Sequence, residues 1–184
     1  SFEDAIMMSS GTSLMGEYFD MPYGIEEVNT NSCSIYGYPG FSGSTTLYGF
    51  SVQAGIPQDE AVYTTQITLE EDQWNNFNLN WVFSGDFVLA VEISEAVGVA
   101  IDADNAPGQY SWANLGGWQP WAEVAYEYGL TDGEFGITAN VTTIGGGSPL
   151  FNVYRSVNGG DFNITFNGSN ISENQYTDNT VQNG

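Results

Sequence analysis

The sequence predicts an all-β protein, an antiparallel β-sandwich or barrel with a short β-rich segment at its C-terminal end. Along most of the chain, apolar and polar residues alternate with a period of two, which is the pattern of half-buried strands. Aromatic residues make up 15% of the 184 positions and there are 23 glycines, which favours short strands joined by tight turns. Strand-length runs follow one another without helical periodicity between them, so a sandwich or barrel is favoured over alternating βαβ units.

The individual strands follow from apolar runs that are bounded by turn residues. Turn signals rich in glycine and proline at residues 38–40, 55–57 and 84–86 separate the runs. Residues 87–91 are apolar throughout, which predicts a central strand covered on both faces. Residues 112–121, rich in tryptophan, are interpreted as an aromatic loop. The predicted strands are residues 25–38, 45–53, 61–69, 74–83, 87–91, 97–101 and 135–141.

A change in composition divides the chain near its C-terminal end. Residues 144–149 read IGGGSP and are interpreted as a glycine-rich linker between a β-sandwich domain at 1–143 and a smaller unit at 150–184. In the smaller unit, residues 150–155 and 162–166 predict two strands joined at the hairpin signal Asn-Gly-Gly. This unit is too short to hold a core of its own.

The charge inventory excludes several classes of function. The chain has one arginine, no lysine, no histidine and 23 acidic residues, for a formal net charge of −22. Without histidine there is no Ser-His-Asp or Cys-His relay, and without lysine there is no Schiff base. Nucleic acid is excluded as a partner because one arginine neutralises too little phosphate charge, and no apolar run is long enough to predict membrane insertion. We predict that the chain is not an enzyme; a glycosidase, which needs only two carboxyl groups, is the catalytic alternative.

The same composition favours a secreted or cell-surface location. Acidic, Asn/Ser/Thr/Gly-rich chains that almost lack lysine suit a salty or protease-rich setting outside the cell. Cys33 is the only cysteine, so an internal disulfide framework is excluded. The favoured interpretation of Cys33 is a small, partly buried hydrophobic residue, and the alternative is a reactive thiol.

Several strand motifs carry a resemblance to a known kind of module. Residues 74–79 (WNNFNL), 85–91 (GDFVLAV), 98–102 (GVAID) and 133–141 (GEFGITANV) resemble, in this order, the strands of an accessory module of secreted multidomain bacterial proteins. The tryptophan segment at 110–118 matches its aromatic loop. Such modules often lie beside peptidases and fibronectin type III repeats. The resemblance implies a jelly-roll-like β-sandwich in a larger extracellular protein.

The C-terminal segment resembles part of a fibronectin type III repeat. Residues 151–156 (FNVYRS) and 176–178 (YTD) are similar to two strand motifs of such repeats, and the strands that precede them in a complete repeat are missing. Residues 150–184 are therefore either a truncated repeat or a segment that packs on the sandwich. An open strand edge here would favour self-assembly by strand addition to another chain.

Two groups of residues are candidate sites. Tryptophan and tyrosine side chains exposed in sandwich loops can stack on sugar rings; the favoured alternative is that they fill the core or cover the end of the sandwich. The candidate ligand-binding residues are Tyr110, Trp112, Trp118 and Trp121. Oxygen-bearing side chains in the loop after residue 101 suit a calcium ion, the one cofactor that the sequence suggests; the favoured alternative is an Asx turn. The candidate metal ligands are Asp102, Asp104 and Asn105.

These observations lead to one main functional expectation and two alternatives. The main expectation is a non-catalytic accessory or adhesion module of a larger secreted or cell-surface protein, with neighbouring domains and a protein or polysaccharide surface as partners. The first alternative is a carbohydrate-binding module that uses the aromatic segment at 110–121. The second is a structural subunit that assembles by β-strand addition through residues 150–184.

Overall fold

The computed structural model describes residue 2, residues 4–9, 11–22, 24–105 and 108–144, and the short segments 154–155 and 163–164. These residues form antiparallel β-sheets with one short α-helix, so the predicted all-β class is confirmed. The arrangement is sandwich-like, and the jelly-roll path of the strands stays a prediction. No helix in the described ranges is long and apolar enough to cross a membrane.

The strands have two to eleven residues, and three of them, with eleven residues each, are longer than the short strands that the glycine content and the turn signals predict. They are β1 (Asp4–Ile6), β2 (Ser13–Phe19), β3 (Glu27–Gly37), β4 (Gly43–Gln53), β5 (Ile56–Pro57), β6 (Tyr63–Leu69), β7 (Gln73–Phe83), β8 (Phe87–Ile93), β9 (Val99–Asp102), β10 (Ser111–Asn114), β11 (Trp118–Pro120), β12 (Glu134–Phe135), β13 (Ile137–Ile144), β14 (Tyr154–Arg155) and β15 (Asn163–Ile164). The α-helix α1 covers Trp121–Tyr128, and a 3-10 helix covers Ala103–Asn105.

Three sheets make up the body of the molecule. The largest has seven strands, in the order β11-β10-β2-β8-β4-β5, with β6 paired to β4 beside β5. A second sheet has the order β13-β3-β7, and a third has the order β1-β9-β12. Of residues 150–184, the structure describes the antiparallel pair β14 and β15, which lies within the strands predicted at 150–155 and 162–166; the other residues of this segment lie outside the described ones.

The largest sheet is apolar on both faces, and β8 shows why. Leu89 and Val91 belong to the main core between the sheets, whereas Val88 and Ala90 belong to a second cluster on the opposite face. Alternate residues of a strand point to opposite faces, so both faces of β8 are buried. This confirms the central strand that the continuous apolar run predicts, since β8 lies between β2 and β4. We call the face of the second cluster the outer face of this sheet.

Close packing of the core requires a glycine at position 49. A Cβ atom at Gly49 would lie 2.8 Å from the ring of Phe83 and 3.0 Å from that of Trp81. Phe83 also stacks on Phe87 with ring centroids 4.4 Å apart, so aromatic rings from two sheets meet here. Any larger residue at position 49 would push these rings apart.

Thr30 provides a direct test of core packing. It is fully buried on β3, and its hydroxyl group has no hydrogen-bond partner among the described residues. Because an unpaired buried hydroxyl group costs free energy, Thr30→Val is expected to raise the free energy of unfolding by about 1 kcal/mol in urea denaturation. Thr45→Val is the matched control: the Thr45 hydroxyl donates to the Glu92 carbonyl at 2.5 Å, so this variant should lose stability. A loss of stability in both variants would contradict the prediction.

The interpretation of residues 112–121 as a loop is wrong. They form β10, β11 and the first residue of α1. The helix has apolar residues at Trp121, Val124 and Ala125, which are the buried ones, and this is the one-sided spacing of an amphipathic helix. It ends at Gly129, whose backbone has the left-handed conformation (φ 66°) that glycine adopts without strain.

Candidate functional site

The structure separates the four predicted aromatic residues. Trp121 is fully buried at the start of α1, its Nε1–H donates to the Thr131 carbonyl at 3.1 Å, and its ring lies 5.3 Å from that of Phe135. It fills the core, which was the alternative interpretation, and leaves no ring face for a ligand. Tyr110 is 45% exposed and lines a separate concave feature, which is described below.

Trp118 lies on the outer face of the seven-stranded sheet. It is partly exposed, and its ring meets Phe50 edge-on with centroids 5.0 Å apart. Its Nε1–H donates to the Gln58 carbonyl at 3.0 Å, which fixes the orientation of the ring. Trp112 is also partly buried, on β10, where it pairs with Gly16 of β2 and Pro120 of β11. Trp118 therefore belongs to an ordered aromatic surface rather than to a mobile loop.

Beside Trp118, the outer face carries a groove of about 540 Å³, which we call the outer groove. Tyr48 and Phe50 of β4 line it with stacked rings, whose centroids are 6.0 Å apart. The Tyr48 hydroxyl group donates to Glu92 Oε2 at 2.9 Å. Polar groups surround the rings, so apolar faces and hydrogen-bonding groups lie side by side. The lining residues that matter for recognition are Leu14, Tyr48, Phe50, Asp59, Glu92 and Asn114.

Sequence reasoning missed the outer groove, although a signal was present. Tyr48 and Phe50 lie two residues apart on β4, so their side chains share one face of the strand, and the buried Leu47 lies on the other face. Two aromatic side chains on the face opposite to the main core are therefore visible in the sequence. What the sequence does not show is that β10 and β11 bring Asn114 and Trp118 beside them.

A second concave feature, which we call the inter-sheet cleft, opens between β2, β8 and β13. It has a volume of about 750 Å³ and is lined by Phe19, Val28, Phe87, Ile137 and other side chains. Tyr110 lies at this cleft together with two carboxyl groups, Glu17 and Glu134. A site between the sheets was not predicted.

Glu17 is a buried carboxyl group in an otherwise apolar part of β2. It is 5% exposed and accepts hydrogen bonds from the Phe135 backbone N–H at 2.5 Å and from the Ser111 hydroxyl group. Burial raises the pKa of Glu17 well above its ordinary value of 4.5, the hydrogen bond from Ser111 lowers it, and the charge of Glu134 raises it further. Glu17 therefore keeps its proton at pH values at which an exposed glutamate has lost it.

A serine hydroxyl group bridges the two carboxyl groups of the cleft. Ser111 Oγ is hydrogen-bonded to Glu17 and lies 2.9 Å from Glu134 Oε2. A hydroxyl group has one hydrogen, so Ser111 donates to one of the two carboxyl groups at a time; when it donates to Glu134, protonated Glu17 can donate to Ser111 Oγ. Glu134 also accepts the backbone N–H of Gln109 at 2.7 Å and that of Tyr110 at 3.3 Å. The cluster thus joins β2, β10 and β12 at one end of the cleft. The signal in the sequence was a glutamate at an inward-facing position between Met15 and Phe19.

The candidate metal ligands form a turn. Asp102 ends β9, and Asp104 and Asn105 lie in the 3-10 helix that follows. The carboxylate of Asp102 accepts the backbone N–H of Asp104 at 3.2 Å, which is the contact of an Asx turn, the alternative interpretation. Within the described residues, no group of three or more His, Cys, Asp or Glu side chains is arranged to hold a metal ion. Calcium binding at this loop stays a prediction.

Cys33 lies in the core of the β13-β3-β7 sheet. It is fully buried, which agrees with the interpretation as a hydrophobic residue. Burial raises the pKa of its thiol to about 12, so almost none of it is thiolate at neutral pH. A reactive role is therefore not supported.

Comparison with known proteins does not place the chain in a family. No protein-family model matches the sequence, and no curated protein or solved structure matches it either. The stretches that resemble the accessory module do form strands: 74–79 lies in β7, 85–91 leads into β8, 98–102 contains β9, and 133–141 contains β12. The resemblance to these modules, and that of residues 150–184 to a fibronectin type III repeat, remain predictions from motifs.

Proposed function

We propose that the chain is a non-catalytic accessory module of a larger secreted or cell-surface protein, and that it attaches to a polysaccharide through the outer groove. The observation that supports this function is the combination of stacked aromatic rings with carboxylate and amide groups along one open groove. Sugars present apolar C–H faces and hydroxyl edges, so a binding surface for them needs aromatic faces and hydrogen-bonding groups within a short distance.

The groove offers both kinds of contact in fixed positions. Phe50 is 2% exposed and braced by Trp118, whereas Tyr48 is partly exposed and held by its hydrogen bond to Glu92. Rigid aromatic side chains lose little conformational entropy on binding. The side-chain Oδ1 of Asn114 already accepts the backbone N–H groups of residues 116 and 117, at 3.2 and 3.0 Å, which orders the rim.

The negative charge of the groove and of the whole chain limits the class of polysaccharide that can bind. Asp59 and Glu92 line the outer groove, and the chain has a net charge of −22. An acidic polysaccharide would be repelled by both the local and the overall charge. The proposed ligand is therefore a neutral polysaccharide, or one that carries amino groups.

A non-catalytic role agrees with the chemistry of the carboxyl groups. A glycosidase needs a protonated carboxyl group that reaches the glycosidic oxygen. Glu17 is the group that burial keeps protonated, yet it is 5% exposed and faces the inner side of β2, opposite to the outer groove. It is bound by Phe135 and Ser111 and does not reach a sugar there.

Replacing Tyr48 by alanine is expected to weaken binding of the chain to its polysaccharide by about tenfold or more, since an aromatic contact surface is lost. Trp118→Ala should have a similar effect because it removes the ring that braces Phe50. Retention on a panel of neutral, amino-bearing and acidic polysaccharides, by affinity electrophoresis and pull-down, is the measurement.

Two controls separate the groove from general effects. Tyr126→Ala removes a tyrosine that is 92% exposed on α1 and does not line the groove, so binding should be unchanged. Tyr48→Phe keeps the ring and removes only the hydrogen bond to Glu92, so most of the affinity should remain. No retention on any polysaccharide, or equal loss in Tyr126→Ala, would contradict the proposal and favour a protein partner.

A further inference from the structure

The inter-sheet cleft is a second concave site that the proposed function does not use. Its volume of about 750 Å³ lies within the range of pockets that hold small molecules, roughly 300–1,000 Å³. Apolar side chains line one part of it, from Phe19 and Phe87 on the large sheet to Val28 and Val141 on the facing sheet. Ile137 and Val141 are four residues apart on β13, so this apolar wall is roughly 13 Å long. The cleft therefore suits an elongated apolar group.

The walls of the cleft are held in place before any ligand arrives. Asp86 accepts the Tyr18 hydroxyl group at 2.6 Å and the Met21 backbone N–H at 2.7 Å, which fixes the loop after β2. On the other side, Glu134 holds the backbone of Gln109 and Tyr110. A preformed site loses less entropy on binding than one that must close around its ligand.

The other end of the cleft favours positive charge. Glu134 lines it, and the three groups among the described residues that donate hydrogen bonds to its carboxylate are neutral, so none of them cancels its negative charge. Asp20 lines the same cleft. Phe19 and Tyr110 also line the cleft, and aromatic faces attract ammonium ions. Carboxylates next to aromatic rings are the combination that recognises quaternary ammonium groups.

We propose that the inter-sheet cleft binds a small amphipathic ammonium cation, with its alkyl body along Val28, Phe87 and Val141 and its charged end between Glu134 and Tyr110. Both parts of the ligand are required. The alkyl chain gains from burial of apolar surface, and the ammonium group gains from the carboxylate and the ring faces. A carboxylate of the same length would place like charges together and is excluded by the same arrangement.

The test is isothermal titration calorimetry of the full chain with three probes at one fixed, moderate ionic strength. Octyltrimethylammonium, used below its micelle concentration, is expected to bind at a single site. Octanoate has the alkyl chain with the opposite charge, and tetramethylammonium has the charge without the chain. Each is expected to bind at least about tenfold more weakly, since each lacks one of the two contributions. Octanoate binding as tightly as octyltrimethylammonium would overturn the proposal.

A pair of variants tests whether the bound cation lies in the cleft. Val141→Lys puts a positive charge into the lining at a position that is 40% exposed, so the fold should tolerate it, and binding should fall at least about tenfold. Thr142→Lys adds the same charge one residue further along β13, where the side chain points to the opposite face, so it should change the affinity little. Equal weakening by both variants would show that the cation responds only to the overall charge, and would overturn the proposal.

A third variant tests the carboxylate directly. Glu134→Gln keeps the size of the side chain and removes its charge, so affinity for octyltrimethylammonium should fall about tenfold while affinity for octanol stays the same. An unchanged affinity for the cation would contradict the assignment of Glu134. Polysaccharide retention through the outer groove should be the same in Val141→Lys as in the original chain, so failure of this proposal and failure of the proposed function are distinguishable.

Discussion

Replacing Trp121 by alanine is expected to lower the free energy of unfolding by about 3–5 kcal/mol, the range seen when a large aromatic side chain is removed from a core. Trp121 is fully buried, packs against Phe135, and its indole N–H is bonded to the Thr131 carbonyl. The substitution removes the apolar contacts, leaves a cavity and leaves that carbonyl without its indole donor. Urea denaturation followed by circular dichroism is the measurement, and a melting temperature lower by roughly 10 °C should accompany the change.

Trp118→Ala is the matched control for this prediction. Trp118 is three residues away in the sequence and was predicted for the same role, but it lies partly exposed on the outer face. Its removal should cost less stability than that of Trp121 and should instead weaken polysaccharide binding. Equal destabilisation by both substitutions would show that the division of these two residues between core and surface is incorrect.

These two tryptophans show what the sequence can and cannot predict. Alternation with a period of two identifies β3, β4, β6 and β7, and continuous apolar runs identify β8 and β9, because both patterns are set by burial; β5 lies where a turn was predicted. It fails at residues 112–121, where two strands of four and three residues are too short to show a period. The helix that follows was missed although Trp121, Val124 and Ala125 have helical spacing, because the aromatic content of the segment was interpreted as a loop.

The candidate sites were harder to predict than the strands, since each joins residues that are distant in the sequence. The outer groove joins Tyr48 of β4 to Asn114 of β10, and the cleft joins Glu17 of β2 to Glu134 of β12. Composition and local pattern give no information about such pairs. What the sequence did indicate was that Trp118 belongs to an aromatic surface, and the structure adds Phe50 to it.

The two concave features lie on opposite faces of the seven-stranded sheet, and β2 contributes to both. Leu14 lines the outer groove, whereas Glu17 and Phe19 line the inter-sheet cleft. Side chains that alternate along one strand therefore supply an aromatic surface open to a polymer on one face and a deeper cleft on the other. A polymer and a small amphipathic cation can then bind to the same chain without competing for the same residues.

Glu17→Gln is expected to raise the stability of the protein at neutral and alkaline pH. Burial in the folded chain raises the pKa of Glu17 well above 4.5, its ordinary value. Below about pH 4.5 the group is protonated in both the folded and the unfolded chain and adds no pH dependence. Above that pH the unfolded chain releases the proton and the folded chain keeps it, so stability falls by about 1.4 kcal/mol per pH unit until the folded pKa is reached.

Glutamine has the shape of protonated glutamic acid and does not titrate, so it removes this dependence. Its amide can still accept the hydrogen bond from the Phe135 N–H and supply a hydrogen in place of the carboxyl proton. The difference in free energy of unfolding between the variant and the original chain should therefore be small near pH 4 and grow as the pH rises.

Urea denaturation at pH values from about 4 to about 8 measures this difference in free energy. Glu127→Gln, on the exposed side of α1, is the control for the loss of one negative charge from a chain of net charge −22. If the two variants change stability in parallel across this range, the buried proton on Glu17 is not the cause, and the serine-bridged pair with Glu134 would not be the proton-sharing cluster that its contacts indicate.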